Sequence, residues 1–231
     1  MLKYKNALIV VAKRPAPGKT KTRLSPHLTP ELASALYECF LRDTLDRMKQ
    51  VDDAQHIIAY LDEPDYFQRL APGFELIPQK GDDLGERLDN ALTGCLSQGY
   101  ERVIIMDSDS PTLPTNYLYQ GFEALSNSAD VVIGPCDDGG YYLIGASKPT
   151  PRLLREVQMS TPTVAADTIA LAKEEGLHLI QLPTWYDVDD VTSLSRLIQE
   201  LDTLDSATAK YTHRFLSQNE IRHLTNNGGK R

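Results

Sequence analysis

The sequence is poor in cysteine, in long apolar runs and in net positive charge, and each shortage removes a class of protein. Cys39, Cys95 and Cys136 are odd in number, lie far apart and show no CxxC spacing. Neither a disulfide framework nor a thiolate zinc site is therefore available, and the three are expected as small buried hydrophobes. None of the five histidines falls in a metal-ligand pattern. The longest apolar stretch near the start, Ala7 to Ala12, is closed by Lys13 and Arg14. It is too short for a signal peptide and far below the roughly 18 residues that a membrane-spanning helix needs. The formal net charge of −8 argues against a protein that coats nucleic acid, because a phosphate backbone demands a basic face. Any phosphate site must be small and focused. A cytoplasmic protein that partners neither membrane nor nucleic acid is expected, and nothing in the sequence sets its oligomeric state.

What is present fits one large α/β domain with a real core: 231 residues, 41% of them hydrophobic and 24% charged, with no internal repeat or low-complexity linker. Strand-like and helix-like runs alternate. Strands are expected at Ala7–Ala12, His56–Leu61, Phe74–Pro78, Val103–Met106, Val131–Ile133 and His178–Leu182. Helices are expected over Pro30 to Met48, Tyr66–Leu70, Leu84–Leu96, Asn116–Leu125, Val164–Glu175 and Thr192–Leu201. Thr29 before Pro30 offers an N-cap with proline at the first helical position. Such alternation implies a mostly parallel central sheet with helices on both faces, a Rossmann-like plan. Tyr141–Ala146, following Gly139–Gly140, is rich in strand formers and is expected to reverse the parallel order. The domain should span 1–204, with 205–231 a peripheral tail, read as a peripheral helix followed by a frayed terminus that ends in the polar run NNGGKR.

In open α/β sheets ligands bind beyond the carboxyl ends of strands. The first strand empties into KRPAPGKTKTRL, which gathers Lys13, Arg14, Lys19, Lys21 and Arg23 around Gly18. In an acidic chain such a loop is a candidate phosphate site, a solvated basic loop being the plainer alternative. It is no P-loop: Lys13 stands where the pattern needs glycine, and Pro15 and Pro17 remove backbone donors. The strand at Val103–Met106 leads into DSDSPTLP, with Asp107 and Asp109 two residues apart. Carboxylates at that spacing suit Mg²⁺ or Mn²⁺, or are simply turn acids. The last strand leads through TWYDVDDVTSL, where one of Asp187, Asp189 and Asp190 is expected to cap the next helix. Should Asp109 and Asp189 end neighbouring strands, both would reach one metal. GDDLGERL and CDDGGYYLIG place glycines beside acids, so a base or sugar can approach the backbone there, although Asp137 and Asp138 also suit a plain turn. Trp185 and Tyr186 suit either stacking on a ring or the core.

These motifs in this order, AKRPAPGKTKTRL, GDDLGERL, MDSDSPTLP, GPCDDGGYYLIG and WYDVDDVTSL, resemble a family of bacterial glycosyltransferases within the nucleotide-diphospho-sugar transferase superfamily. The chain is more distantly similar to molybdenum cofactor guanylyltransferase and phospholactate guanylyltransferase, which share the GT-A-type fold and a K[ST]RL sequence, here Lys21 to Leu24. The resemblance implies a single GT-A-like domain, with Lys13, Lys21 and Arg23 on phosphate, Asp109 on the metal and Asp189 as the second acid. Gly18, Thr22, Gly85 and Glu86 complete the expected nucleotide contacts, Asp107 joins the metal candidates, and Asp109 and Asp138 are the candidate catalytic carboxylates. Asp107 stands where the family commonly has glycine, and Asp190, Val191 and Thr192 replace its usual TPE. The activity implied is metal-dependent glycosyl transfer from a nucleotide sugar to a small-molecule acceptor, with Mg²⁺ or Mn²⁺. Nucleotidyl transfer from an NTP to a phosphorylated small molecule is the alternative, and a nucleotide-binding module without turnover is a third.

Overall fold

The computed structural model describes residues 2–219 and 221. They pack as two compact units, each assembled from three stretches. The first comprises the chain up to Arg14, Met48–Asp107 and Pro114–Tyr186; the second comprises Pro15–Arg47, Ser108–Leu113 and the chain from Asp187 onward.

The first unit carries a seven-stranded sheet made of β1 (Asn6–Ala12), β2 (Ala54–Tyr60), β3 (Glu75–Pro78), β4 (Arg102–Met106), β5 (Val131–Pro135), β6 (Tyr141–Ala146) and β7 (Leu179–Gln181), in the order β3-β2-β1-β4-β6-β5-β7. Every pairing is parallel except those of β6, which runs against both β4 and β5. The expected reversal is thus a β5–β6 hairpin, closed by Cys136 N–H donating to Gly140 O at 2.9 Å.

The central strands read as continuous apolar runs because both of their faces are covered. One face, with Ala7, Ile9, Ile57, Val103 and Ile105, meets Leu88 and Leu92 of α3 (Leu84–Ser97), Leu153 and Leu154 of α5 (Pro151–Arg155), and Ala172 of α6 (Val164–Glu174). On the other face, Ile104 and Val132 lie against Gly121 of α4 (Thr115–Asn127). Helices on both sides of a mostly parallel sheet are the α/β arrangement expected from the sequence. α2 (Pro64–Leu70) buries Phe67 beside β2 and β3. Each large apolar side chain so buried contributes about 1.5–3 kcal/mol.

α5 was not expected. Five residues are too few to show a helical period, yet they supply two fully buried leucines.

The second unit contains a 3-10 turn at Thr22–Leu24, α1 (Pro30–Met48) up to Arg47, α7 (Val191–Leu201) and α8 (Lys210–Gln218). Thr29 Oγ1 accepts the Leu32 N–H at 3.3 Å, the expected cap of α1. α7 opens on a capping box, Asp190 accepting from Ser193 N–H at 2.8 Å. It turns Leu194, Leu197, Ile198 and Leu201 inward. α8 is the helix expected in the tail, and its first turn is gripped by α1 of the same unit. Buried Asp43 of α1 accepts from Tyr211 N–H at 3.0 Å and Thr212 N–H at 2.8 Å. Burial nonetheless pushes the Asp43 carboxyl above its ordinary pKa, against the pull of those bonds. The terminal run NNGGKR lies outside the described residues. Among those residues no helix is long and apolar enough to cross a membrane.

Candidate functional site

The second unit brings together three of the stretches singled out in the sequence. α1 supplies the platform. Tyr37 OH lies 3.0 Å from Ser108 Oγ. Buried Arg47 donates to Ser110 O at 3.2 Å and to Pro111 O at 2.5 Å. The segment 108–113 is therefore set on the helix by a guanidinium fork in addition to its own turn, in which Leu113 N–H donates to Ser110 O at 3.1 Å. Thr112 Oγ1 donates to Glu200 of α7 at 2.8 Å, and Val188 N–H donates to Asp109 O at 3.0 Å. These bonds hold the Asp109 segment beside the Asp189 segment. Ser193 Oγ accepts from both Asp189 N–H and Asp190 N–H at 3.1 Å, so the capping box also orders the backbone of Asp189.

Both carboxylates converge on one cation. Lys21 Nζ lies 2.7 Å from Asp109 Oδ1 and 2.8 Å from Asp189 Oδ1, while its side chain is only 4% exposed. Asp109 and Asp189 themselves are 33% and 40% exposed. Lys21 adopts left-handed backbone, φ 50°, immediately before the 3-10 turn. Its ammonium also faces the rings of Phe40 and Tyr37, 5.6 and 6.0 Å from their centroids. Burial works against its charge and is the largest single influence. The two carboxylates outweigh it and hold the ammonium above its ordinary pKa. Arg23 Nη1 stands 3.6 Å from Asp189 Oδ2 with most of its side chain in solvent. Gly18, φ 72°, makes the left-handed turn that leads toward Lys21, and Thr22 is exposed.

Lys19, exposed, and Asp187, half-buried, also belong to the second unit, and the other candidates lie in the first. Lys13 is exposed beyond β1, and Arg14 pairs with Glu63. Asp107 directly follows β4, its N–H donating to Tyr142 O at 2.9 Å. Asp138 is exposed and accepts from Gly140 N–H at 2.8 Å, as a turn aspartate does. A Cβ on Gly85 would stand 2.0 Å from Leu154 O, so close approach of α5 to α3 accounts for that glycine. Glu86 pairs with Arg155 at 2.9 Å and accepts from Asp82 N–H at 2.9 Å. Trp185 packs edge-on to Tyr117, centroids 5.8 Å apart, and tilts against Tyr186.

Sequence reasoning missed Arg47 and Tyr37. Both fall on a helix whose apolar period was read, and only an arginine spaced on its inner face could have signalled that the helix carries a polar load.

Residues 44–161 match the family described as "Uncharacterized protein conserved in bacteria (DUF2064)". A protein from Desulfovibrio desulfuricans G20, provisionally classed as a nucleotide-diphospho-sugar transferase, is 31% identical, with 96% of this chain and 98% of that one covered and a TM-score of 0.89. Two further structures share the fold at lower identity. A cytidylyltransferase from Leptospira borgpetersenii serovar Hardjo-bovis is 14% identical, with 99% of each chain covered and a TM-score of 0.57. CMP:2-keto-3-deoxy-manno-octonic acid synthetase, complexed with CTP, is 13% identical, with 86% of this chain and 98% of that one covered and a TM-score of 0.56. No curated protein matches the chain.

Proposed function

Since the chain belongs to this bacterial family and has the GT-A-like fold, we propose that it is a metal-assisted transferase acting on a nucleotide-activated substrate, first of all a glycosyltransferase using a nucleotide-diphospho-sugar. The observation that carries this reading is the convergence of Asp109 and Asp189 on one cation beside Arg23.

The donor set fits a divalent ion. Two hard carboxylate oxygens already hold a single cation, both residues are partly open to solvent, and their segments are ordered by Arg47 and Ser193. Asp109 and Asp189 would hold Mg²⁺ or Mn²⁺, which supplies Lewis-acid neutralisation of a diphosphate when bound. The chain's own cations do the rest. Arg23, exposed, binds the outer phosphate oxygens, and Lys21 adds a buried positive charge toward the leaving diphosphate. Lys13 and Lys19 are exposed on the same basic loop. Their number favours a second reading, nucleotidyl transfer from an NTP, in which pyrophosphate leaves.

Phosphorus NMR of the protein with Mn²⁺ or Mg²⁺, nucleotide sugars or NTPs, and cell-extract acceptors separates the two. Nucleoside diphosphate released from a sugar donor supports the first reading. Pyrophosphate from an NTP, with no release from any sugar donor, replaces it by the second. Asp109→Asn should weaken metal-dependent nucleotide binding at least ~10-fold, about 1.4 kcal/mol; equal affinity by calorimetry would remove Asp109 from the metal site.

A further inference from the structure

Lys21 occupies the point at which the two candidate metal carboxylates meet. Three features make this more than a surface pairing: the ammonium is buried, it touches both acids at 2.8 Å or less, and its backbone is turned left-handed to deliver it there. Two carboxylates this close repel unless a positive charge sits between them. With Lys21 in place the trio carries one net negative charge. A divalent ion without Lys21 would bring the same pair to neutrality, whereas ion and ammonium together would leave a net positive charge in a half-buried site. The two cations therefore exclude one another until further negative charge arrives, and a nucleoside diphosphate brings that charge.

We propose that Lys21 is an internal counter-cation that competes with the divalent ion for Asp109 and Asp189 and passes to the diphosphate when ion and nucleotide enter together. This rests on the metal-assisted reading given above. No bond is made or broken in the exchange; the ammonium changes partners. The rings of Phe40 and Tyr37 keep a favourable face toward the charge while it moves. Metal alone then binds weakly, nucleotide strengthens it, and by linkage metal strengthens nucleotide by the same factor.

Calorimetry of Mn²⁺ binding to the nucleotide-free protein tests the competition, with Lys21→Met compared against wild type. Lys210→Met, which removes an exposed lysine paired with Asp46, controls for general loss of charge. Lys21→Met should bind Mn²⁺ alone at least ~10-fold more tightly, about 1.4 kcal/mol, and should lose most of the strengthening by nucleoside diphosphate. Lys210→Met should match wild type. In the unmutated protein, reductive methylation of Lys21, read by mass spectrometry against the other lysines, should rise when Mn²⁺ is added without nucleotide. That labelling, together with Lys21→Gln, carries the test if Lys21→Met does not fold. The proposal is overturned if Lys21→Met binds Mn²⁺ no more tightly than wild type, or if Lys21 stays protected at saturating Mn²⁺. Wild type that binds no Mn²⁺ with or without nucleotide would overturn both the proposal and the metal reading beneath it. Mn²⁺–nucleotide binding without any gain in Lys21→Met would sink the proposal alone.

Discussion

The two units differ in what holds each of them together internally. In the first, the apolar faces of β1, β2 and β4 meet α3, α5 and α6 through leucines, isoleucines and alanines that are almost wholly buried. In the second, apolar packing is supplemented at the decisive places by single directed bonds: Arg47 to Ser110 O and Pro111 O, Asp43 to the first turn of α8, Ser193 to Asp189 and Asp190. Apolar burial is spread over many contacts and degrades gradually. A buried polar bond fails all at once, because the orphaned partner loses its solvation as well. The sheet unit thus spreads its stability over many contacts, while the Asp109 segment relies on a few directed bonds.

That contrast can be broken from either side. Leu92→Ala, removing a side chain that is 1% exposed in the sheet unit, should cost about 2–5 kcal/mol in urea unfolding while the folded fraction binds nucleotide normally. Arg47→Met should cost somewhat less, about 1.5–3 kcal/mol for a buried charged hydrogen-bonding group. Unlike the leucine variant it should also weaken Mn²⁺–nucleotide binding in the folded protein, since the Asp109 segment loses its anchor. If Leu92→Ala impairs binding as much as Arg47→Met does, the division of labour is wrong.

Smaller still is the cap. Asp190→Ala should destabilise by about 1 kcal/mol, whereas Asp190→Asn keeps an acceptor oxygen and should lose little at neutral pH. The Ser193 N–H bond holds the Asp190 carboxyl below its ordinary pKa of 3.8. A lowered folded-state pKa contributes stability above the unfolded value and loses it as pH falls through the folded one. Wild type should therefore lose more stability than Asp190→Asn on acidification below about pH 4, measured by chemical denaturation. The least effect is expected at Arg152, whose partners Glu156, Glu174 and Glu175 are all on the surface of the sheet unit. Arg152→Gln should leave the urea midpoint unmoved, surface pairs being worth little.

How much of this was legible in the sequence follows the same division. The strands and the long helices announce themselves by period and by turn residues, so Asn6–Ala12 and Pro30–Met48 are found within a residue of their expected bounds. The β6 reversal was legible because Gly139–Gly140 precedes a run of strand formers. α5 was not, being shorter than two helical turns. In the site, the acids of DSDSP and of DVDD could be listed as candidates, and their convergence was imagined as a grip on a metal. That Lys21 lies between them was not legible, because a left-handed backbone at lysine has no sequence signature. Arg47 was legible only by its spacing on the inner face of α1, a weak signal because an arginine there can also snorkel to solvent. At Gly85 and Glu86 the glycine beside acids was legible, but the close approach of Leu154 and the pairing with Arg155 were not.

The interleaving of the two units has a consequence for the order in which the protein is made. The sheet unit needs β7 at Leu179–Gln181 before its last parallel pairing can form, and the second unit needs Asp189 and α7 before Lys21 has both of its partners. During synthesis Lys21 and later Asp109 therefore leave the ribosome while Asp189 has yet to be added. For that interval the Lys21 ammonium lacks its Asp189 partner. Pairings between residues so distant in sequence are slow to close, so the charge cluster of Lys21, Asp109 and Asp189 is complete only after nearly the whole chain has been made.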